Sequence, residues 1–269
     1  MKIGIVGCGG SMGRALVQGV IAAPDMDLAG ASGRPGSAII GRDAGEVAGA
    51  GKAGIAVVAD ADWVFKGADA VIDFSVAGAV QNHAALAAKH GTPLVIGTSG
   101  ISADQQKAVA DAAQKVAIVQ AANMSVGLNL VLGWTEQVAR ILGPEYDVEI
   151  LELHHRKKVD APSGTSLALG RAAARARGVD FAKAQVRGRD GDIGPRPAGA
   201  IGFSVIRGGD SLGEHTVIFA GTGERIEIAH RASSRAIYTS GALKAAAWLK
   251  GRKTGLYSML DMLGLSAPK

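Results

Sequence analysis

A single cysteine, Cys8, leaves the chain without any possible internal disulfide. Such bonds belong to oxidising compartments, so their absence suits a reducing one, and a cytoplasmic location is the expectation. No apolar run reaches the ~20 residues needed to cross a bilayer. The opening Met1-Lys2-Ile3-Gly4-Ile5-Val6 is a short strand pattern rather than a signal peptide, and no membrane partner is expected. Aromatic residues make up only 4% of the 269. The formal charge is +5, with its cations spread out apart from Arg156-Lys157-Lys158. A nucleic-acid binder concentrates its charge beside stacking residues. A small anionic substrate and cofactor account for these cations better. Internal repeats and low-complexity segments are also lacking.

What is present is glycine, at 39 residues, as expected where many strands turn tightly into helices. The length fits one large or two medium domains. Lys2 to Gly7 reads as a buried strand, and Arg14 to Ala23 as a helix. Between them runs Gly7-Cys8-Gly9-Gly10-Ser11-Met12-Gly13. Strand, glycine turn, helix is the context of a dinucleotide-binding loop. The spacing departs from the strict pattern, because Met12 stands where the third glycine falls and Gly13 follows one later. An acid that binds ribose hydroxyls is expected roughly 20 residues further on. The stretch there is Ala31-Ser32-Gly33-Arg34-Pro35, without an acid but with an arginine able to pair with a 2′-phosphate. NADPH is therefore expected to be preferred, with NADH also a candidate cofactor. Gly36 to Gly54 reads as a loop.

Strands at Leu28 to Ala31, Ala70 to Phe74, Pro93 to Gly97 and Val116 to Gln120 alternate with helices at Ala77 to His90 and from Ser102 to about Lys115. That alternation predicts an α/β fold, a Rossmann-type doubly wound parallel sheet. Ligands bind at the carboxyl ends of such strands. Gly97, Thr98 and Ser99, and Ala121, Ala122, Asn123 and Met124, are thereby candidate cofactor contacts. Asn123 suits either a nicotinamide amide or a simple turn.

After a long helix from Val126 to Leu142 the pattern changes. Strand candidates at Asp147 to His154, Gly202 to Ile206, Glu214 to Ala220 and Glu224 to Ala232 have few helices between them. They predict a second α+β domain with an open mixed sheet. Ala236 to Leu249 is an apolar helix, and Tyr257 to Leu263 closes the chain. The expected division is 1–125 with 235–269 for the dinucleotide, and 126–234 for substrate binding and oligomerisation.

The densest chemistry lies in Glu149 to Thr165, E-I-L-E-L-H-H-R-K-K-V-D-A-P-S-G-T. Two histidines, three cations and a helix start follow one another. Free amides at Pro162-Ser163-Gly164-Thr165 suit an anion. Taken alone, Ser163 reads as an N-cap and the lysines as a solvated patch. One ion held by both His154 and His155 is disfavoured, because strand neighbours face opposite ways. No metal is expected.

The run Glu152 to Thr165, together with Gly7 to Gly13, V-I-G-T-S-G at Val95 to Gly100, A-A-N-M-S-V-G at Ala121 to Gly127 and G-E-H-T at Gly213 to Thr216, resembles the dihydrodipicolinate reductases. These are also called 4-hydroxy-tetrahydrodipicolinate reductases and belong to diaminopimelate and lysine biosynthesis. The similarity spans essentially the whole chain. It implies reduction of a cyclic, imine-like dicarboxylate by nicotinamide hydride, with His154 and Lys158 handling the proton. It implies substrate contacts at His155, Gly164 and Thr165, joined by Ser163 from the helix-start argument. It implies cofactor contacts at Gly7, Cys8, Gly9, Gly10, Ser11, Met12, Arg34, Gly97 to Ser99 and Ala121 to Met124. The resemblance also implies a homotetramer. Two positions depart from the family: Gly33 replaces an acid before the arginine, and Val76 stands where some members have an arginine. Another Rossmann oxidoreductase of a small anion, such as an aspartate dehydrogenase, and a non-catalytic NADPH sensor are the alternatives.

Overall fold

Ile3, Ile5 and Val6 are wholly buried, as a parallel strand covered on both faces requires. They belong to β1 (Lys2–Val6), the middle of a sheet. A computed structural model describes residues 1–266. The chain continues through α1 (Ser11–Ala22), β2 (Asp27–Ser32), α2 (Ala44–Ala48), β3 (Val57–Val58), α3 (Ala61–Gly67), β4 (Ala70–Asp73), α4 (Ala77–His90), β5 (Leu94–Ile96), α5 (Ala103–Ala113) and β6 (Ala117–Gln120). Next come α6 (Val126–Leu142), a 3-10 turn at Gly143–Glu145, β7 (Asp147–His154), α7 (Gly164–Arg177), α8 (Phe181–Ala184), β8 (Gln185–Val186), β9 (Ile201–Arg207), β10 (Glu214–Ala220) and β11 (Arg225–Arg231). It ends with α9 (Ala236–Leu249), β12 (Gly255–Tyr257) and α10 (Met259–Leu263).

Two compact units result: Met1–Val126 with Ala236–Gly264, and Gly127–Arg235 with the described residues Leu265 and Ser266, which together with Arg235 were expected in the first domain. Residues 267–269 of the expected first domain lie outside the described residues. The first unit holds a seven-stranded sheet ordered β12-β6-β5-β4-β1-β2-β3, parallel throughout. Its strand order reverses between β1 and β4, the switch point where open α/β sheets bind ligands. One core layer joins Leu16, Val17 and Val20 of α1 to Ala242, Ala245 and Leu249 of α9. The opposite layer gathers Val64 and Phe65 of α3, Val80 and Ala84 of α4 and Val109 of α5. α9 also comes against the loop after β6, where a Cβ at Gly241 would overlap the Met124 carbonyl oxygen.

The second unit carries a mixed five-stranded sheet, β11-β10-β7-β9-β8. β7 runs antiparallel to β10 and parallel to β9. One face packs on α6 and α7 through Val148, Ile150, Val217, Phe219 and Leu169. On β7 the burial alternates strictly, so Glu152 and His154 fall on the same buried side as Val148 and Ile150.

The structure corrects several expectations. The loop expected from Gly36 to Gly54 contains α2. That helix is too short to display a period, and its start is organised by Asp43, whose carboxylate accepts from the amides of Gly45, Glu46, Ala53 and Gly54. α1 begins at Ser11 rather than Arg14, so Ser11 and Met12 belong to its first turn. The closing segment is a strand followed by a helix, divided by a Ser258–Asp261 capping box. No helix among the described residues is long and apolar enough to cross a membrane.

Candidate active site

In the first unit, the residues after β1 and β4 enclose a cavity of about 700 Å³. Gly7, Gly9, Gly10, Arg14, Arg34 and Phe74 to Val76 are in its wall. Gly7 turns at φ +75°, a conformation that favours glycine. A Cβ at Gly13 would overlap the Gly7 carbonyl oxygen and lie 2.7 Å from Cys8 Cα. Gly13 is therefore the close-packing glycine, one place later than the strict motif. At Gly9 a Cβ would come within 2.6 Å of Ile39 Cδ1, which narrows the space beside the glycine turn. The first-turn amides of α1, including Ser11 and Met12, have no intrahelical acceptor and suit a pyrophosphate.

Cys8 does not join that wall. Its side chain is 1% exposed, and its amide donates to the Ser32 carbonyl at 3.0 Å. Burial pushes the thiol up to about 11, which makes it inert packing. Thr98 is turned inward as well, its hydroxyl donating to Asp73 Oδ1 at 3.1 Å. Asp73 is fully buried and also accepts from the Ser75 amide at 2.8 Å and meets His83 Nδ1 at 2.8 Å. Burial raises its carboxyl, but the bonds from His83 and Ser75 hold it below the ordinary range. Asp73 thus fastens the 74–76 and 97–99 loops together from beneath. Gly97 lies against the Phe74 ring, where a Cβ would clash, and Ser99 is exposed. Ala121 donates its amide to Ile96, and Ala122 is exposed. Asn123 Oδ1 accepts from the Ser125 amide at 2.9 Å, the turn role, and Met124 is buried in the core.

In the second unit, His154 ends β7 and is 7% exposed. His155, Arg156, Lys157, Gly209, Asp210 and Arg235 line a second cavity of about 640 Å³. Three guanidinium or ammonium groups and an imidazole face one carboxylate there, a site for an anion. Lys158 ion-pairs with Asp160 at 2.8 Å. Gly164 and Thr165 open α7, leaving first-turn amides free for an acceptor. Ser163 is its N-cap and is turned inward: the oxygen accepts from the Ser166 amide at 3.2 Å, and its own amide donates to Glu152 at 2.9 Å. Ser163 therefore braces the turn, and the outward amides belong to its neighbours.

Glu152, His215 and Arg207 are the residues that sequence reasoning missed. Glu152 is 1% exposed. It pairs with Arg207 at 2.6 Å, accepts from Ser166 Oγ and the Ser163 amide, and stands 3.8 Å from His154 Nδ1. Burial pushes its carboxyl up, yet hydrogen bonds from Ser163, Ser166 and Arg207 outweigh this and hold it at about 2. His154 is lowered, first by burial, with Lys158 and Arg207 acting against Glu152. Burial, then His154, lowers His215 to about 4. Glu152, His154 and His215 bring donor atoms within 4.8 Å of one another. A cation there would compete with Arg207, Ser163 and Ser166 for the carboxylate. The two-residue spacing of Glu152 and His154 was the available signal; His215 lies opposite Glu152 only through the β7–β10 register.

Family models for dihydrodipicolinate reductase match the chain in two parts, the N-terminus at 1–124 and the C-terminus at 127–263. The chain belongs to the dihydrodipicolinate reductase family. A 4-hydroxy-tetrahydrodipicolinate reductase of Rhizobium rhizogenes is 50% identical over 99% of this chain and 97% of its own. One from Magnetococcus marinus is 49% identical, covering 98% of each. Among solved structures, dipicolinate-bound dihydrodipicolinate reductase from Paenisporosarcina sp. TG-14 aligns with a TM-score of 0.77 at 20% identity, over 97% of this chain and 98% of that one. An aspartate dehydrogenase of Thermotoga maritima aligns at 0.50 and 13% identity, over 94% and 98%. These structures share the fold of this family member; the sequence relatives carry the family.

The neutral, buried histidines set an acid limit on stability. A histidine whose folded pKa is lowered binds fewer protons folded than unfolded, so its contribution is full above about 6.5 and declines as the pH falls toward 4. Urea unfolding should show His215 alone costing about 3 kcal/mol between pH 6.5 and 4. A His215→Gln variant should lose that much less over the same interval; an unchanged slope would mean that His215 titrates normally.

Proposed function

We infer that the chain is a 4-hydroxy-tetrahydrodipicolinate reductase, acting in the diaminopimelate branch of lysine biosynthesis. Substrate, NAD(P)H and a proton give tetrahydrodipicolinate, NAD(P)⁺ and water. The nicotinamide cofactor supplies the hydride. The glycine turn, the α1 amides and the cavity with Arg34 fit such a dinucleotide. The first unit thus serves the cofactor, and the second the substrate and self-association.

The observation that carries the reading is the cation-lined cavity directly after His154. The substrate is a dicarboxylate. His155 and Arg235, with the Gly164 and Thr165 amides, suit its carboxylates. Hydride addition leaves an electron-rich atom that must take a proton. His154 or Lys158 provides it. Burial, with Lys158 and Arg207, outweighs the pull of Glu152 at 3.8 Å from His154 Nδ1 and lowers that imidazole, whereas Asp160 holds the Lys158 ammonium in place.

Substrate-dependent oxidation of NADPH and NADH, followed by absorbance with enzymatically generated 4-hydroxy-tetrahydrodipicolinate, tests the reaction. Cofactor binding without turnover would favour the sensor alternative, and turnover of oxaloacetate with ammonia the aspartate dehydrogenase one. His154→Ala and Lys158→Ala should each lower kcat by about 10²–10⁴-fold with little change in melting temperature. Wild-type rates in both variants would refute the proton assignment.

NADPH is the preferred cofactor in this reading. Arg34 shares its cavity wall with Arg14, Ser32 and Ser37, and position 33 offers no acid to the ribose hydroxyls. Val76, in the same wall, adds no charge there. Gly33→Glu should raise the NADH/NADPH ratio of kcat/KM by about tenfold. The new Cβ would meet Ile39 at 3.0 Å and Val57 at 3.3 Å, so both must yield slightly. A ratio that stays put in a normally folded variant contradicts the argument.

Self-association through the second sheet completes the proposal. Leu151, Leu153, Ile206 and Ile218 share the sheet face opposite Val148 and Ile150 and are half-buried or exposed, an apolar surface that a homotetramer would cover. Light scattering should give four times the chain mass; a monomer at micromolar concentration would rule it out.

A further inference from the structure

A line of hydrogen bonds in the second unit runs from Glu152 to His215, and its direction can be deduced. Ser166 Oγ bonds Glu152, Ser163 Oγ lies 3.2 Å from Ser166 Oγ, and His215 Nε2 lies 3.1 Å from Ser163 Oγ. None of the four side chains is more than 5% exposed. An ionised carboxylate only accepts, so Ser166 donates to Glu152. Its single proton is then used, so the Ser163 hydroxyl donates to Ser166. That uses the Ser163 proton in turn, and the last link needs a proton from the imidazole. Ser163 Oγ thus donates once and accepts twice, from the Ser166 amide and from His215, which fills its capacity.

A neutral ring with its proton on Nε2 has a bare lone pair at Nδ1. Nδ1 of His215 is buried and has no hydrogen-bond partner among the described residues, so nothing competes for the opposite tautomer. The same ring stands edge-on to His154, with centroids 5.0 Å apart and planes at 74°. Gly213 closes the corner: a Cβ there would lie 3.0 Å from His154 Nε2 and 3.6 Å from His215 Cε1.

We propose that His215 is a positioning residue for the reduction, locked as the Nε2–H tautomer by the one-way chain His215 → Ser163 → Ser166 → Glu152. Its ring buttresses His154. Its proton fixes the Ser163 hydroxyl inward and so sets the angle at which the Gly164 and Thr165 amides meet a substrate carboxylate. The proposal rests on the reductase reading of His154 and the α7 turn. It adds a residue on β10 that touches neither cofactor nor substrate.

The test has a spectroscopic and a kinetic arm. In the full chain labelled with ¹⁵N-histidine, long-range correlations at pH 7 should show His215 with a protonated Nε2 and a bare Nδ1; its signals are assigned by their loss in His215→Gln. The opposite tautomer overturns the chain. In kinetics, His215→Phe keeps a ring against His154 but has no proton for Ser163. It should raise the substrate KM about tenfold while kcat stays within about threefold. Glutamine places an N–H near the imidazole Nε2, so His215→Gln should bring KM back toward wild type. Equal defects in both variants, at matched melting temperatures, would make His215 a packing residue and overturn the proposal. The tautomer is read without turnover. Failure of the reductase reading would appear separately, as a wild-type chain that oxidises neither cofactor in the presence of substrate.

Discussion

A carboxylate removed from water at Glu152 governs the second unit. A buried charge is tolerable only when its hydrogen-bonding capacity is met, and removing one partner typically costs about 3–5 kcal/mol. Here the partners come from separate pieces of chain. Arg207 belongs to β9, Ser163 and Ser166 to the start of α7, and His154 to the same strand two residues on. Satisfying one side chain therefore fixes where a helix begins, how β9 meets the end of β7 and what faces the imidazole. The first unit uses the same device at the end of β4. Asp73, with His83, Thr98 and the Ser75 amide, joins two loops beneath the cavity of that unit. In both units a buried acid fixes the shape of the loops around it.

This arrangement explains the division of labour within the P-S-G-T turn. A serine at a helix start offers either its oxygen to the first-turn amides or its hydroxyl to a ligand. Ser163 takes the first course, and the chain through Ser166 leaves it no spare proton. The groups left facing outward at this turn are backbone amides, which have no rotamers to lose and whose direction is set by the helix.

Much of this was legible in the sequence because its signals are local. α4, α6, β7, β10 and α9 have the boundaries that periodicity and capping suggested, and the alternation of strands with helices was enough for the parallel sheet. The H-H-R-K-K run sits beside a cationic cavity for the same reason: its members are neighbours in the chain. What stayed hidden depends on partners distant in sequence. Glu152 read as one more polar residue on a strand, since nothing nearby announces that Arg207 and His215 will face it. Cys8 and Thr98 stand in stretches expected to hold the cofactor, yet their side chains point into the protein. α2 escaped because one aspartate, rather than a hydrophobic period, holds its start together.

The first unit is interrupted. Its sheet acquires its outer strand, β12, and one of its two helical layers gains α9, only from chain that follows the whole of the second unit. During synthesis β6 emerges before β12, its partner at that edge, and before α9. Domains made in a single stretch can fold as they emerge; this one must wait. The first unit is thus begun before the second and finished after it, and a message cut short after β11 yields an unfinished sheet rather than a smaller enzyme.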